Sequence, residues 1–389
     1  MLMMFFFLSF SSTVDLASFY RKGEIRLDPD PGYGTATNWD DLAFHPVDDM
    51  TVAPDGTVFI AGSRAHSVFK FDRSGRFIKK FGQKGQGPGD FTYPGDLSIL
   101  DGKYLVVGEY ALNHRISLFD LEGKFVKLLK TKNSVFRVVS LREGKIAYKA
   151  VSSQAVKDDN TEWTQIVSVH IMDTTTGSEI EAARFTYSQT NLRMESGSMF
   201  TLPDVAGDAI IAGTDEGNLL VGSTLEPVLD VYSPNGKKIC SIKLNMTPQA
   251  PTRKYIEQYK DSVIKGMESS ERARTNTNYR AYLQKLKNLS FAPMFKKWIP
   301  IFNEIAVDSE GNILVFRRTD CFGDCPVVFQ AYTSEGAFIG EAKLTADQFD
   351  LKIDPRAKNL CFTSSGIFAM LPLKGTDEAC IRLIKADLK

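Results

Sequence analysis

Short runs of alternating apolar and polar residues fill this chain, and each run is cut off by a turn that ends in glycine. The stretch Asp48–Phe81, DDMTVAPDGTVFIAGSRAHSVFKFDRSGRFIKKF, states the unit most cleanly, and Asp96–Leu129 restates it as DLSILDGKYLVVGEYALNHRISLFDLEGKFVKLL. A period of two over four to eight residues marks a half-buried β-strand, as in VFKFD and ISLFD. The glycines at 56, 75, 102, 123, 311 and 336 supply the positive φ that other residues resist, and so fix the strand register.

Six such units can be traced. The third begins at Phe136, is interrupted by the polar stretch Ser152–Glu162 and resumes as TQIVSVHIMD; the fourth is Asp208–Leu244, the fifth Asn303–Leu344 and the sixth Asn359–Leu388. Repeated four-stranded units of this length predict an all-β, six-bladed β-propeller. The sixth unit has only three strands, which leaves an edge to be covered. The strand-like GEIRLD, Gly23–Asp28, predicts the missing outer strand and makes 23–389 one propeller whose two ends share a blade.

Between units four and five the two-residue period stops. Tyr255, Tyr259, Val263 and Met267 recur at helical spacing, as do Tyr279, Tyr282, Leu283, Leu286 and Leu289. A helical hairpin inserted over 252–298 is the expectation, with the polar run Ser269–Asn278 as its turn. The insertion carries eleven Lys/Arg against four Asp/Glu, whereas the whole chain balances 47 against 47. That balance removes the positive field of a general nucleic-acid binder. A basic arm toward an anionic partner competes with a solvated helix face packed on the rim.

The opening MLMMFFFLSFSS is too short to span a bilayer and resembles the apolar core of a secretory signal, so 1–22 is read as a signal-like segment and the protein is expected outside the cytoplasm, in the periplasm or at the cell surface. Five cysteines are few for a disulfide framework. Cys321 and Cys325 bracket a tight CFGDC loop and are candidates for a local disulfide, ahead of a zinc site, which would need two further ligands. Cys361 and Cys380 fall in the last unit, with their pairing open.

At FGQKGQGPGDF, Phe81–Phe91, and at HRISLFDLEGKF and NEIAVDSEGNILVF, the chain resembles the six-bladed NHL-like or TolB-like propellers that occur as secreted or lipid-anchored proteins of Bacteroidota. The resemblance covers about 48 to 388. It implies the fold rather than a reaction, and the absence of an early cysteine departs from the lipid-anchored members. The loop Gly82–Gly89 has the glycines and lysine of a phosphate cradle but lies between two strands, so it reads as an inter-blade link.

Propeller ligands meet the end of the channel where innermost strands converge. The candidates there are Asp48, Asp49, Asp96, Arg137, Asp208, Asn303 and Glu304, and their oxygens form an option for Ca²⁺; no other cofactor is expected. The four histidines are scattered, His114 reads as a surface residue, and no GxSxG or Cys/His constellation is present, so no catalytic residue is assigned. The first expectation is a monomeric, non-enzymatic binding module for a protein or glycan, with no transmembrane span and with Trp39, Tyr93, Tyr110 and Trp163 as aromatic candidates. The alternative is a metal-assisted lyase or hydrolase at the channel mouth.

Overall fold

The computed structural model describes residues 15–388 except 38–41, 43–47, 111–113, 157–161, 191, 194–198, 201–206, 296, 319–325, 347–359, 364–365 and 373–380. Trp39, Cys321, Cys325 and Cys380 fall outside the described residues, as does the signal-like segment up to residue 14. Residues 15–22, expected to belong to the signal-like segment, are instead part of the fold. Helix α1, Leu16–Lys22, is capped by the Asp15 carboxylate on the Ser18 amide. It leads through Gly23 into strand β1, Glu24–Pro29.

Six sheets follow around one axis. Blade 1 holds β2 Asp49–Val52, β3 Val58–Gly62, β4 Ser67–Phe71 and β5 Phe77–Phe81; blade 2 holds β6 Pro94–Leu100, β7 Tyr104–Glu109, β8 Arg115–Asp120 and β9 Phe125–Lys130. Blade 3 is longer, with β10 Arg137–Ser140, β11 Lys145–Ala155, β12 Glu162–Asp173 and β13 Glu179–Thr190. A two-stranded ribbon, β14 Leu192–Arg193 and β15 Met199–Phe200, precedes blade 4, which is β16 Ala209–Gly213, β17 Leu219–Ser223, β18 Val228–Tyr232 and β19 Lys238–Lys243. Blade 5 comprises β20 Phe302–Val307, β21 Ile313–Arg317, β22 Val327–Tyr332 and β23 Phe338–Thr345; blade 6 comprises β24 Leu360–Thr363, β25 Gly366–Pro372 and β26 Ile381–Leu388. Within each blade the strands run antiparallel in sequence order.

The polar stretch read as an interruption in the third unit is partly strand. β11 runs on through Ser152–Ala155, where Ser152 pairs with Ile166 and Ala155 with Trp163. Backbone pairing continues here without apolar side chains because strand partners supply the hydrogen bonds regardless of side-chain polarity.

The turn phrase does two jobs. In blade 1, Asp72 Oδ1 accepts from the Ser74 and Arg76 amides at 2.9 and 3.1 Å while Gly75 N–H returns to the Asp72 carbonyl. In blade 2, Gly123 sits at φ 77° and a Cβ there would come within 2.6 Å of the Phe81 ring on the outer strand of blade 1. Gly236 meets Ile180 and Gly336 meets Ile242 in the same way, each against the preceding blade. The glycine therefore permits both the turn and the close approach of neighbouring sheets. The apolar clusters lie between blades rather than in one centre, as with Leu118, Leu129, Ile146 and Tyr148 between blades 2 and 3.

β1 joins the ends of the chain. Its second half runs antiparallel to β26, with Leu27 opposite Leu388, and its first half runs parallel to β23, with Ile25 opposite Leu344. Blades 5 and 6 thereby merge into one eight-stranded sheet. α1 secures the strap, because Tyr20 is fully buried against Phe329 and its hydroxyl donates to Asp308 at 2.7 Å.

The insertion between blades 4 and 5 contains α2 Arg253–Glu268, α3 Glu271–Thr275 and α4 Thr277–Asn288. The polar run expected to be a plain turn thus holds a short helix of its own, with Arg280 donating back to the Ala273 and Arg274 carbonyls. Tyr255 and Tyr259 pack edge-on against Phe295, with Phe291, Met294 and Ile299 completing that core.

Candidate functional site

The first strand of every blade lines the channel, so residues in equivalent positions converge there. Asp49 opposite Ala61, Asp96 opposite Gly108, Arg137 opposite Lys149 and Glu304 opposite Phe316 each stand near the start of their blade's first strand. The Arg137 guanidinium crosses from blade 3 to pair with Glu304 of blade 5, and its Nη1 lies 3.9 Å from Asp96 Oδ1 of blade 2. All three are buried. Burial alone would pull the guanidinium pKa down, but Glu304, then Asp96 and Asp49, raise it further, and the net shift is upward. Arg137 is therefore a permanent cation holding a ring of acids together.

Tyr110 belongs to the same group. Its phenol is held well above its ordinary pKa by burial, then by Asp96 and Asp49, so it stays neutral. Its ring lies against Gly95, where a Cβ would come within 2.1 Å. Among the aromatic candidates Tyr93 is exposed, Tyr110 is half-buried and Trp163 is half-buried on β12.

Asp49 is a pin between blades: its Oδ2 accepts from the Leu97 amide at 2.6 Å and its Oδ1 from the Met50 amide at 2.8 Å. Asp48 accepts from the Ser63 amide at 2.7 Å. Asp208 caps the start of β16 through the Ala209 amide and pairs with Lys149 of blade 3 at 2.6 Å. Asn303 lies in the β-bulge between Phe302 and Glu304, and its buried Oδ1 has no hydrogen-bond partner among the described residues. The structure thus brings Asp49, Asp96, Arg137 and Glu304 together, keeps Asp48 near enough to act on Tyr110, and turns Asp208 toward Lys149 of the neighbouring blade. Among the described residues no group of three or more His, Cys, Asp or Glu is arranged as a metal site. Arg137 supplies the positive charge at the place where the oxygens converge.

From this ion-pair layer a cavity of about 250 Å³ runs along the hub. Arg137 and Glu304 line one end, and Asp215 with Thr363 line the other. Thr51, Ser98 and Phe362 are among the walls. Asp215 is exposed, and desolvation by the surrounding protein still raises its carboxyl pKa, with Arg142 opposing. Cys361 also lines the cavity, its Sγ 3.5 Å from the Met50 carbonyl.

Two functional-looking clusters escaped sequence reasoning. Arg115 pairs with buried Glu109 and donates to the carbonyls of Gln86, Gly85 and Asp90, while Glu109 accepts from the Thr92 amide at 2.7 Å. This clasp holds the Gly-rich link between blades 1 and 2. Two opposite charges at the facing ends of the paired strands β7 and β8 were the available signal. The second cluster joins Ser168 Oγ to His170 Nε2 at 2.8 Å, with His170 stacked on Tyr148, whose hydroxyl donates to Glu179 at 2.6 Å. Burial lowers the His170 pKa against the pull of Glu179 and Glu181. The pair is packed over in the blade 3 sheet and does not line the hub cavity.

The family model and the solved structure that aligns at TM-score 0.50 agree with this architecture. Residues 40–202 match a family model, DUF5128, described as a 6-bladed beta-propeller. Among solved structures, a member of the DUF4221 family from Bacteroides vulgatus aligns at 11% identity and TM-score 0.50, covering 95% of this chain and 99% of its own. An exported-type protein of Bacteroides fragilis aligns at 11% identity and TM-score 0.49, covering 94% and 95%. The virginiamycin B lyase of Staphylococcus aureus aligns at 11% identity and TM-score 0.42, again covering 94% and 95%. At 11% identity the DUF4221-family structure concerns the fold alone. No curated protein matches the sequence.

Proposed function

We propose, from the premise that this chain is a six-bladed β-propeller of the kind the DUF5128 model describes, that it is a non-enzymatic binding module for a protein or glycan partner. One observation carries the reading: the charged residues at the start of the first strands are engaged in holding blades together, while apolar side chains on the same end are left to solvent. Tyr93, just before β6, is 51% exposed, Phe136, just before β10, is 38% exposed, and Val156, just after β11, is 60% exposed. Large apolar side chains left exposed at one end of the ring favour contact with a partner. The basic insertion joins β19 to β20 at this same end and keeps Arg253, Lys254 and Lys265 exposed.

The placement outside the cytoplasm rests on the apolar stretch at 1–12. Among the described residues no helix is long and apolar enough to cross a membrane. A glycan array and a panel of purified cell-surface proteins, probed with the full chain and with Tyr93→Ser/Phe136→Ser, test the reading. Binding lost by about tenfold or more in a variant with unchanged circular dichroism supports it. Capture of nothing by the parent chain, or equal capture by the variant, refutes it.

A further inference from the structure

The hub cavity is a second, separate feature, reached from the end opposite the exposed aromatics. Its size, about 250 Å³, lies below the roughly 300–1,000 Å³ of drug-sized sites, so it holds one ring-sized molecule and not a chain. Its walls alternate in chemistry. Thr51, Ser98 and Thr363 contribute hydroxyls, whereas Val52, Ile99 and Phe362 contribute apolar surface. Phe362 is half-buried, its ring tilted on Phe316 at 6.3 Å, and forms part of the apolar wall.

Charge decides between ligand classes. Glu304 and the exposed Asp215 stand at the two ends, Asp96 lies behind the first, and Arg137 is the cation among the lining residues. Arg142 acts on Asp215 from outside the lining and Asp308 adds a further acid there, so acids outnumber cations at both ends and an anion entering this space is disfavoured. Two buried atoms on lining residues, Arg137 Nη1 and Ser140 Oγ, have no hydrogen-bond partner among the described residues. A hydroxyl both donates and accepts, so a ligand carrying several can serve the guanidinium at the closed end and the Asp215 carboxylate at the open one.

We propose that the central cavity binds one neutral sugar ring or a polyol of similar size. The site differs from the exposed face in position and in chemistry, so either can fail without the other.

Calorimetric titration of the full chain with neutral hexoses, pentoses and cyclic polyols, each beside its matched uronic acid, tests it. At least one neutral compound should bind, with the uronic acid about tenfold weaker or more. Ala306→Leu, which places a larger side chain in the hub wall, should abolish binding while urea unfolding stays cooperative. Thr51→Val, which keeps shape and removes one hydroxyl, should weaken binding by about tenfold. No heat with any neutral compound, equal binding of the uronic acid, or binding unaffected by both substitutions would overturn the proposal.

Discussion

Replacing Arg137 by methionine asks whether the hub is held by charge. The side chain is buried between Glu304 on blade 5 and Asp96 on blade 2, so the substitution keeps most of the volume and removes the cation. Two carboxylates are then left facing each other in a low-dielectric space, with Asp49 close by. Breaking a buried ion pair on one side typically costs about 3–5 kcal/mol, and the geometry gives no reason for less. Urea unfolding at pH 7.5 followed by circular dichroism reads the loss as a lower midpoint at unchanged slope. Adding Glu304→Gln removes one stranded charge, and the double-mutant cycle should return a coupling of about 1–3 kcal/mol. A loss below about 1 kcal/mol, or a cycle that closes to zero, would mean that the network is incidental to the ring.

Other outcomes follow from local geometry. Gly123 and Gly177 share a positive φ, 77° and 73°, but a Cβ at 123 strikes Phe81 whereas nothing lies within 4 Å at 177. Gly177→Ala should cost about 1–2 kcal/mol in unfolding free energy and Gly123→Ala distinctly more; equal losses would deny the tight blade contact. His170 has a folded-state pKa below that of the unfolded chain, so the unfolded chain takes up the proton first. Its contribution to stability is complete above about pH 6.5 and is lost as pH falls below that toward the folded value. His170→Gln should flatten that part of the stability profile, and an unchanged slope would show that other groups set it.

Much of the fold was legible because the turn glycines are written locally. Gly75, Gly123, Gly236 and Gly336 mark the last hairpin of four blades, and both the two-residue period and its suspension over 252–298 follow from side chains a few positions apart. The strand at 24–29 was readable because three strands in the last unit demand a fourth. The site was less legible. Arg137 and Glu304 meet across 167 positions of sequence, and nothing local says that a cation from blade 3 will neutralise acids from blades 2 and 5. Asp208 and Asn303 shared the same strand-start position on paper, but a neighbouring lysine and a bulge gave them other surroundings. Arg115 and Glu109 were overlooked because charges beside a hairpin loop read as solvated, whereas here both are buried.

Closure of the ring is the claim on which the shape of the hub depends, and amide hydrogen exchange tests it directly. Peptides covering Glu24–Pro29 and Ile381–Leu388 should exchange slowly and together, since the two strands form one ladder with Leu27 opposite Leu388. Exchange of Glu24–Pro29 at the rate of an unstructured tail, with Ile381–Leu388 still protected, would contradict it.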